Sequence, residues 1–205
     1  MDDLVLRGMA KWPNVPAVYG WLGLDRRGVW LLKEEPITNA VVTAYIGRNY
    51  ERDDSGRWFF QNGPQRVFVE LEYTPLVYRA TNAGREALAI EAHTGVRATA
   101  LAGAWIDENG ALLLETERGV GVLHDRDLEA ALPALIDANG NALPEDALED
   151  AMARVQQGHD APMWLKLGDS NVKLATILSA DVPARFGYTR HPAESSGQQT
   201  IASAP

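Results

Sequence analysis

The stretch Trp21-Leu22-Gly23-Leu24-Asp25-Arg26-Arg27-Gly28-Val29-Trp30-Leu31-Leu32 places a four-residue turn between two apolar runs. Asp favours the first position of such a turn, where its carboxylate accepts backbone N–H groups, and Gly takes the left-handed conformation that closes a short hairpin. The stretch therefore predicts a β-hairpin. The same Asp-x-x-Gly pattern recurs along the chain at Asp53-Asp54-Ser55-Gly56, Asp107-Glu108-Asn109-Gly110 and Asp137-Ala138-Asn139-Gly140.

The four turns form two similarly spaced pairs, and each pair encloses a predicted helix. In the first pair Thr38 or Asn39 is placed to cap a segment whose apolar residues recur at helical spacing. In the second pair Asp125 is placed to cap a comparable segment. Similar apolar strands then begin at Trp58 and at Trp164. The repeated order indicates an internal duplication, with chance recurrence of a common turn as the alternative.

These patterns predict an α+β fold that is rich in β-hairpins and consists of two related halves, with an added C-terminal helix and strands. We predict an N-terminal hairpin-helix-hairpin half over residues 1–80 and a C-terminal β-rich half over 84–188, with a helical insertion at 144–158. The polar, Gly-containing stretch 81–86 marks the boundary between them. Residues 189–205 are rich in Pro, Ser, Gly and Gln, which predicts a disordered tail.

The composition disfavours several classes of function. The 205 residues include no Cys, which excludes disulfides, thiolate metal sites and Cys nucleophiles. The formal net charge of −9 disfavours binding to a long nucleic acid, because phosphate backbones require a basic face. No apolar stretch approaches the roughly 20 residues of a membrane span, and the first residues lack the apolar core of a secretory signal. We therefore expect a cytoplasmic protein that binds neither membranes nor long nucleic acids.

No sequence motif for catalysis, metal binding or cofactor binding is complete. The spacing of the four His residues does not supply the three or four converging ligands of a metal site. The chain has no phosphate-binding loop and no nucleophile elbow. We therefore predict no catalytic residue, no metal and no cofactor. Glu70 and Glu72, on one face of a predicted strand, are the remaining candidates for an acid-based hydrolase, although an exposed sheet face explains them as well.

A longer pattern extends over residues 16–136. Its segments follow in the order Gly28-Val29-Trp30, Glu35-Pro36-Ile37, Asp53-Asp54-Ser55-Gly56-Arg57-Trp58-Phe59, Val67-Phe68-Val69-Glu70-Leu71-Glu72-Tyr73-Thr74-Pro75, Leu88-Ala89-Ile90-Glu91-Ala92-His93-Thr94-Gly95 and Leu123-His124-Asp125-Arg126-Asp127-Leu128. This order resembles a proteobacterial family of uncharacterised proteins, domain of unknown function 1285, or a sister family. The resemblance implies a duplicated α+β fold whose second half is like a pleckstrin-homology barrel. It also implies a small, nucleotide-like ligand bound between the halves in signalling, and it supplies no catalytic residue.

Five residues are candidates for contact with such a ligand. Trp30 and Trp58 each lie two residues after a turn Gly, where they either stack on a flat ligand or fill the core. Arg48 and Arg79 are cations that either meet an anionic ligand or form surface ion pairs. Glu72 completes the set.

The leading hypothesis is a non-enzymatic module that binds a small ligand, or signals, through a site in the crevice between the halves, where pockets often form. The alternative is a protein–protein interaction module or a homo-oligomer such as a homodimer, which would use a sheet edge or an aromatic patch. The third is the acid-based hydrolase. A sensor requires a cavity lined by Trp, Tyr or Arg. An interaction module requires a flat apolar patch, and an enzyme requires titratable groups that converge on one site.

Overall fold

The computed structural model of the chain describes residues 1–12, 15–81 and 88–194, which form a six-stranded and a nine-stranded sheet with short helices. The helices are α1 (Asp3–Lys11), α2 (Ala40–Arg48), α3 (Leu128–Ala131), α4 (Glu145–Gln156) and α5 (Val182–Phe186), with 3-10 turns at Asp125–Asp127 and Leu132–Ala134. The strands of the first sheet are β1 (Val18–Leu24), β2 (Trp30–Leu32), β3 (Glu35–Pro36), β4 (Tyr50–Arg52), β5 (Trp58–Asn62) and β6 (Gln65–Leu71). Those of the second sheet are β7 (Leu76–Ala80), β8 (Ile90–Ala92), β9 (Arg97–Ala98), β10 (Leu101–Asp107), β11 (Leu112–Thr116), β12 (Gly119–Leu123), β13 (Leu135–Ile136), β14 (Trp164–Leu167) and β15 (Ser170–Ile177). Among the described helices, none is long and apolar enough to cross a membrane.

The two halves of the chain share one strand order. The first sheet runs β3-β2-β1-β6-β5-β4, and the second contains the series β12-β11-β10-β15-β14-β13. At the centre of each series, the first strand of that half pairs in parallel with its last strand: β1 pairs with β6, and β10 pairs with β15. The neighbouring pairs are antiparallel, and a helix follows the third strand of each half. The predicted α+β fold of two related halves is confirmed.

The four Asp-x-x-Gly turns have one geometry. In each, the Asp Oδ1 atom accepts the backbone N–H groups two and four residues later, at 2.8 to 3.0 Å. Each Gly has a left-handed φ between 79° and 85°. The first three turns join β1 to β2, β4 to β5 and β10 to β11, so the predicted hairpins are confirmed. The fourth follows β13 and precedes α4, the helix that only the second half contains.

The helices that follow the third strands begin differently. The Asn39 Oδ1 atom accepts two N–H groups from the first turn of α2. Asn39 is therefore the cap of this helix, one of the two residues predicted for that role. In the second half the predicted cap, Asp125, is instead part of a 3-10 turn. The N-cap is His124, whose Nδ1 atom accepts the Arg126 N–H at 3.1 Å. The Asp125 carboxylate is held by the Arg27 guanidinium at 2.6 Å.

The connection between the halves belongs to the second sheet. Strand β7 pairs in parallel with β12, and β8 and β9 extend the sheet beyond it. β7 therefore lies in the second sheet, although its residues fall within the predicted N-terminal half. Of the predicted boundary at residues 81–86, residue 81 is described, and residues 82–86 lie outside the described part of the chain. Helix α4 forms within the predicted insertion 144–158, and its Ala151 and Val155 side chains are buried in a core that is continuous across both sheets.

After α5 the chain returns to the first sheet. Thr189 forms a parallel β-bridge with Arg57, and the Leu71 N–H donates to the Arg190 carbonyl oxygen at 2.8 Å. We call residues 187–190 the C-terminal clasp. The predicted disordered tail begins at residue 189, so its first two residues are bonded to the first half, and residues 195–205 lie outside the described part of the chain.

Candidate functional site

A cavity of 640 Å³ opens where the two halves meet. One wall comes from the end of α2 and from β4 and β5, and the other from β7, from the β8–β9 hairpin and from the turn between β11 and β12. We call this cavity the Trp58 crevice. Its aromatic and polar lining consists mainly of Arg48, Tyr50, Arg52, Trp58, Thr94 and Arg118.

An aromatic stack connects the Trp58 crevice to the protein core. The Trp58 ring lies 4.8 Å from the Tyr50 ring, which lies edge-on to Trp30 at 5.0 Å, and Trp30 in turn contacts His93 at 5.1 Å between centroids. The Tyr50 hydroxyl donates to the Pro75 carbonyl oxygen at 3.1 Å, which fixes the middle ring. Because offset and edge-to-face contacts favour a fixed ring geometry, Trp58 presents a preorganised aromatic surface to the cavity.

The crevice is richer in cations than the acidic protein as a whole. Arg48 pairs with Asp2 at 3.4 Å. The Arg52 guanidinium donates to a carbonyl oxygen of the C-terminal clasp at 2.7 Å. Arg118 donates to a backbone carbonyl at 3.2 Å and lies 3.5 Å from the carboxylate of the preceding residue. The lining itself holds three guanidinium groups and two carboxylates, those of Asp2 and Glu51, and the Glu117 carboxylate lies against Arg118 from outside the lining.

A smaller cavity of 440 Å³ lies where the Asp25 and Asp107 turns of the two halves approach each other. Its charged groups are paired within the protein. The Arg27 guanidinium bonds to the Asp125 carboxylate at 2.6 Å, and the Glu72 carboxylate accepts the Arg26 N–H at 3.1 Å. The Arg26 guanidinium lies 3.8 Å from the Asp107 carboxylate. The pairs with Asp125 and Asp107 join the halves, and all three pairs leave this cavity less suited to a charged ligand than the Trp58 crevice.

The Asp107 carboxylate is 2% exposed and holds the two halves together. Besides closing its own turn, it accepts the Tyr73 hydroxyl at 2.7 Å. Burial, together with this hydrogen bond, raises the pKa of Tyr73 well above its usual range, so the phenol stays protonated and donates. The Arg26 guanidinium lies 4.2 Å from the centroid of the Tyr73 ring, which adds a cation–π contact.

The structure brings together two of the five predicted ligand residues, Arg48 and Trp58. Trp30 is 2% exposed and lies behind the wall of the Trp58 crevice, where it fills the core. Glu72 lines the smaller cavity. Arg79, on β7, pairs with a carboxylate of the 3-10 turn at 2.6 Å.

Sequence reasoning missed Arg52, Thr94 and Arg118. Arg52 directly precedes the Asp53 turn, and Arg118 lies in the short turn between β11 and β12. Neither position carries a local signal for binding, because only the packing of one sheet against the other places them in one cavity. The one sequence signal for this site was the family resemblance, which implied a ligand bound between the halves.

The acid pair proposed for a hydrolase does not converge on one cavity. The Glu70 carboxylate lies 2.8 Å from the His191 Nδ1 atom, whereas Glu72 lines the smaller cavity and bonds to a backbone N–H group. Among the described residues, no group of three His, Asp or Glu side chains is arranged to hold a metal ion.

Comparison with known proteins gives a family and a fold. The family model DUF2944, described as "Protein of unknown function (DUF2946)", matches residues 1–193. A DUF1285 family protein from Silicibacter pomeroyi DSS-3 has 14% sequence identity over 86% of this chain and 97% of that chain, with a TM-score of 0.52. A DUF1285 family protein from Shewanella baltica OS155 has 16% identity over 53% of this chain and 87% of that chain, with a TM-score of 0.37. No curated protein matches the chain. The predicted resemblance to the DUF1285 family, or to a sister family, is confirmed at the level of the fold.

Proposed function

We propose that this chain, which belongs to the DUF2944 family, "Protein of unknown function (DUF2946)", binds a small anionic molecule with a flat ring in the Trp58 crevice. In this proposal the protein is a non-enzymatic ligand sensor. One observation carries it: a fixed aromatic ring and three arginines face a single cavity at the junction of two halves, in a protein of net charge −9. A nucleotide is the class of ligand that combines a flat ring with an anionic group.

The chemistry of the lining supports both parts of such a ligand. Stacking of a base on an aromatic side chain contributes about 1–3 kcal/mol. Guanidinium groups bind phosphate oxygens with two parallel hydrogen bonds. Arg52 and Arg118 already donate to backbone carbonyl oxygens, so they keep further N–H donors for a ligand.

The position of the cavity supports sensing. Trp58 and Arg48 belong to the first half, whereas Thr94 and Arg118 belong to the second. Arg52 also bonds to the C-terminal clasp. A ligand that contacts both halves stabilises the arrangement in which they are closest, and that change of population is a signal that a partner can detect.

The first test is a thermal-shift and calorimetric titration of the intact protein with nucleoside monophosphates, and with inorganic phosphate as the ring-free probe. We expect saturable binding of at least one nucleotide and weaker binding of phosphate. Trp58→Ala and Arg118→Ala should each weaken that binding about tenfold, since loss of a base–aromatic stack costs about 1–3 kcal/mol and loss of a hydrogen bond to a charged group costs about 1.5–3 kcal/mol.

Arg154→Ala is the matched control. Arg154 is exposed on α4 and does not line the crevice, and its removal changes the net charge by the same amount as removal of Arg118. Binding by this variant should equal that of the wild type. An absence of binding across the panel, or equal losses in the Arg118 and Arg154 variants, would contradict the proposal.

A further inference from the structure

A separate cavity of 600 Å³ lies within the first half, between α2 and the first sheet. It shares no lining residue with the Trp58 crevice and contains no charged side chain. Its walls are mainly apolar and come from β1, β2, β5, β6, α2 and the loop before α2. The apolar lining includes Trp21, Leu22, Leu32, Ile37, Tyr45 and Phe60.

The duplication shows that one wall residue of this cavity is much more exposed than its counterpart in the second half. Leu32 and Leu114 occupy the same position after the turn Gly of their hairpins. Leu114 is fully buried, whereas Leu32 is 49% exposed. Trp21 and Val42, also at the cavity, are 51% and 42% exposed. Exposed apolar side chains that cluster around a cavity are typical of a binding site, because a purely structural face would be covered.

The polar groups of this cavity lie at one end of the sheet. Asn62 ends β5 and Gln65 begins β6, and the two residues pair directly. Lys33 follows the last residue of β2, and its Nζ atom lies 3.9 Å from the centroid of the Trp21 ring. Among the described residues, Lys33 has no carboxylate within ion-pair distance. The cavity is therefore almost entirely apolar, with two amide side chains at its β5–β6 side and, just outside the lining, one cation beside Trp21 at its β2 side.

We infer that this cavity binds a linear apolar molecule with an anionic oxygen-bearing head, the chemical class of a medium-chain fatty acid. The tail lies between α2 and the sheet, where it removes the apolar lining from water. The head lies at the β2 side of the cavity, beside Trp21, where it faces the Lys33 ammonium group. This site is independent of the nucleotide site, so each proposal can fail without the other.

The experiment is a calorimetric titration of the intact protein with dodecanoate below its critical micelle concentration and, separately, with dodecanol below its solubility limit. We expect saturable binding of both. Val42→Trp places a bulky ring at the cavity and should weaken both ligands about tenfold or more. Lys33→Met keeps the aliphatic cover over Trp21 but removes the charge, and it should weaken dodecanoate about fivefold while dodecanol is unchanged.

Val41→Trp is the matched control. Val41 precedes Val42 in α2, is 77% exposed and does not line the cavity. This variant should bind both ligands as the wild type does. The site is ruled out if neither ligand binds saturably, or if the two Trp variants behave alike. The role of Lys33 is ruled out if its replacement weakens both ligands equally or neither.

Discussion

Replacement of Gly56 by Ala is expected to lower the free energy of unfolding by about 3 kcal/mol or more, an effect in the range of severe single substitutions. Gly56 has a φ of 79°, and a side chain there would overlap the carbonyl oxygen of Gly187 in the C-terminal clasp. That neighbour is backbone, so no rotamer change relieves the overlap. The Thr189 N–H also donates to the Gly56 carbonyl oxygen at 3.0 Å, so the clasp itself must move.

Another Asp-x-x-Gly turn supplies a control with the same turn geometry and different surroundings. Gly110 has a φ of 80°, and nothing lies within 4 Å of a side chain built there. Gly110→Ala should lower the free energy of unfolding by only about 1 kcal/mol, the cost of placing Ala in a left-handed backbone conformation. Urea and thermal unfolding of both variants measure the difference, which should be about 4–8 °C in melting temperature, at roughly 2–4 °C per kcal/mol for a chain of this size. Equal losses would mean that the clasp contact does not stabilise the fold.

The second large effect is a loss of stability in mild acid through His93. Burial lowers the pKa of His93 to about 3, and its Nε2 atom is buried without a partner among the described residues. Its Nδ1 atom accepts the Val77 N–H at 3.2 Å, which requires the neutral ring. Between pH 6.5 and 3 the unfolded chain therefore binds one proton more than the folded protein, and the free energy of unfolding falls as the pH falls. At pH 5 the expected loss is roughly 2 kcal/mol, at about 1.36 kcal/mol per pH unit.

His93→Asn isolates this contribution. The Asn side chain offers an acceptor for the Val77 N–H but does not titrate in this range. The variant is less stable at pH 7.5 because it loses the ring contact with Trp30. Its free energy of unfolding should nevertheless change less between pH 7.5 and 5 than that of the wild type, by roughly 2 kcal/mol. The same pH dependence in both proteins would assign the titration to other groups, such as His124, whose pKa burial also lowers.

The parts of the fold that were predictable depend on local chemistry. The Asp-x-x-Gly turns, the cap at Asn39 and the insertion that became α4 follow from contacts within a few residues. Helix α1 was not predicted, although Val5 of this helix is 1% exposed; α2 has the same length but begins at a side-chain cap, Asn39, which α1 lacks. The predicted cap at Asp125 was wrong because His124 holds the N-cap position and Asp125 lies inside the 3-10 turn that follows it.

The candidate sites were less predictable, because they depend on distant segments. Trp58 and Arg48 were identified from residue type and from the resemblance. Arg118 joins them only when the second half packs against the first. The apolar cavity under α2 was not foreseen, because its exposed Leu32 has the same local pattern as the buried Leu114. The exposure of a strand side chain depends on which elements cover that face of the sheet, and the sequence of the strand alone does not predict those elements.

The parallel central pairs and the C-terminal clasp determine how the chain must fold as it leaves the ribosome. Neither half can form its centre until its last strand has been synthesised, since β1 pairs with β6 and β10 with β15. The backbone N–H and carbonyl groups of Leu71 have no bond to Arg190 until that residue is synthesised, more than a hundred residues later. Pairings so distant in sequence close slowly. The first half therefore lacks the clasp contacts until residues 187–190 have been synthesised, and during that interval a chaperone has most to protect.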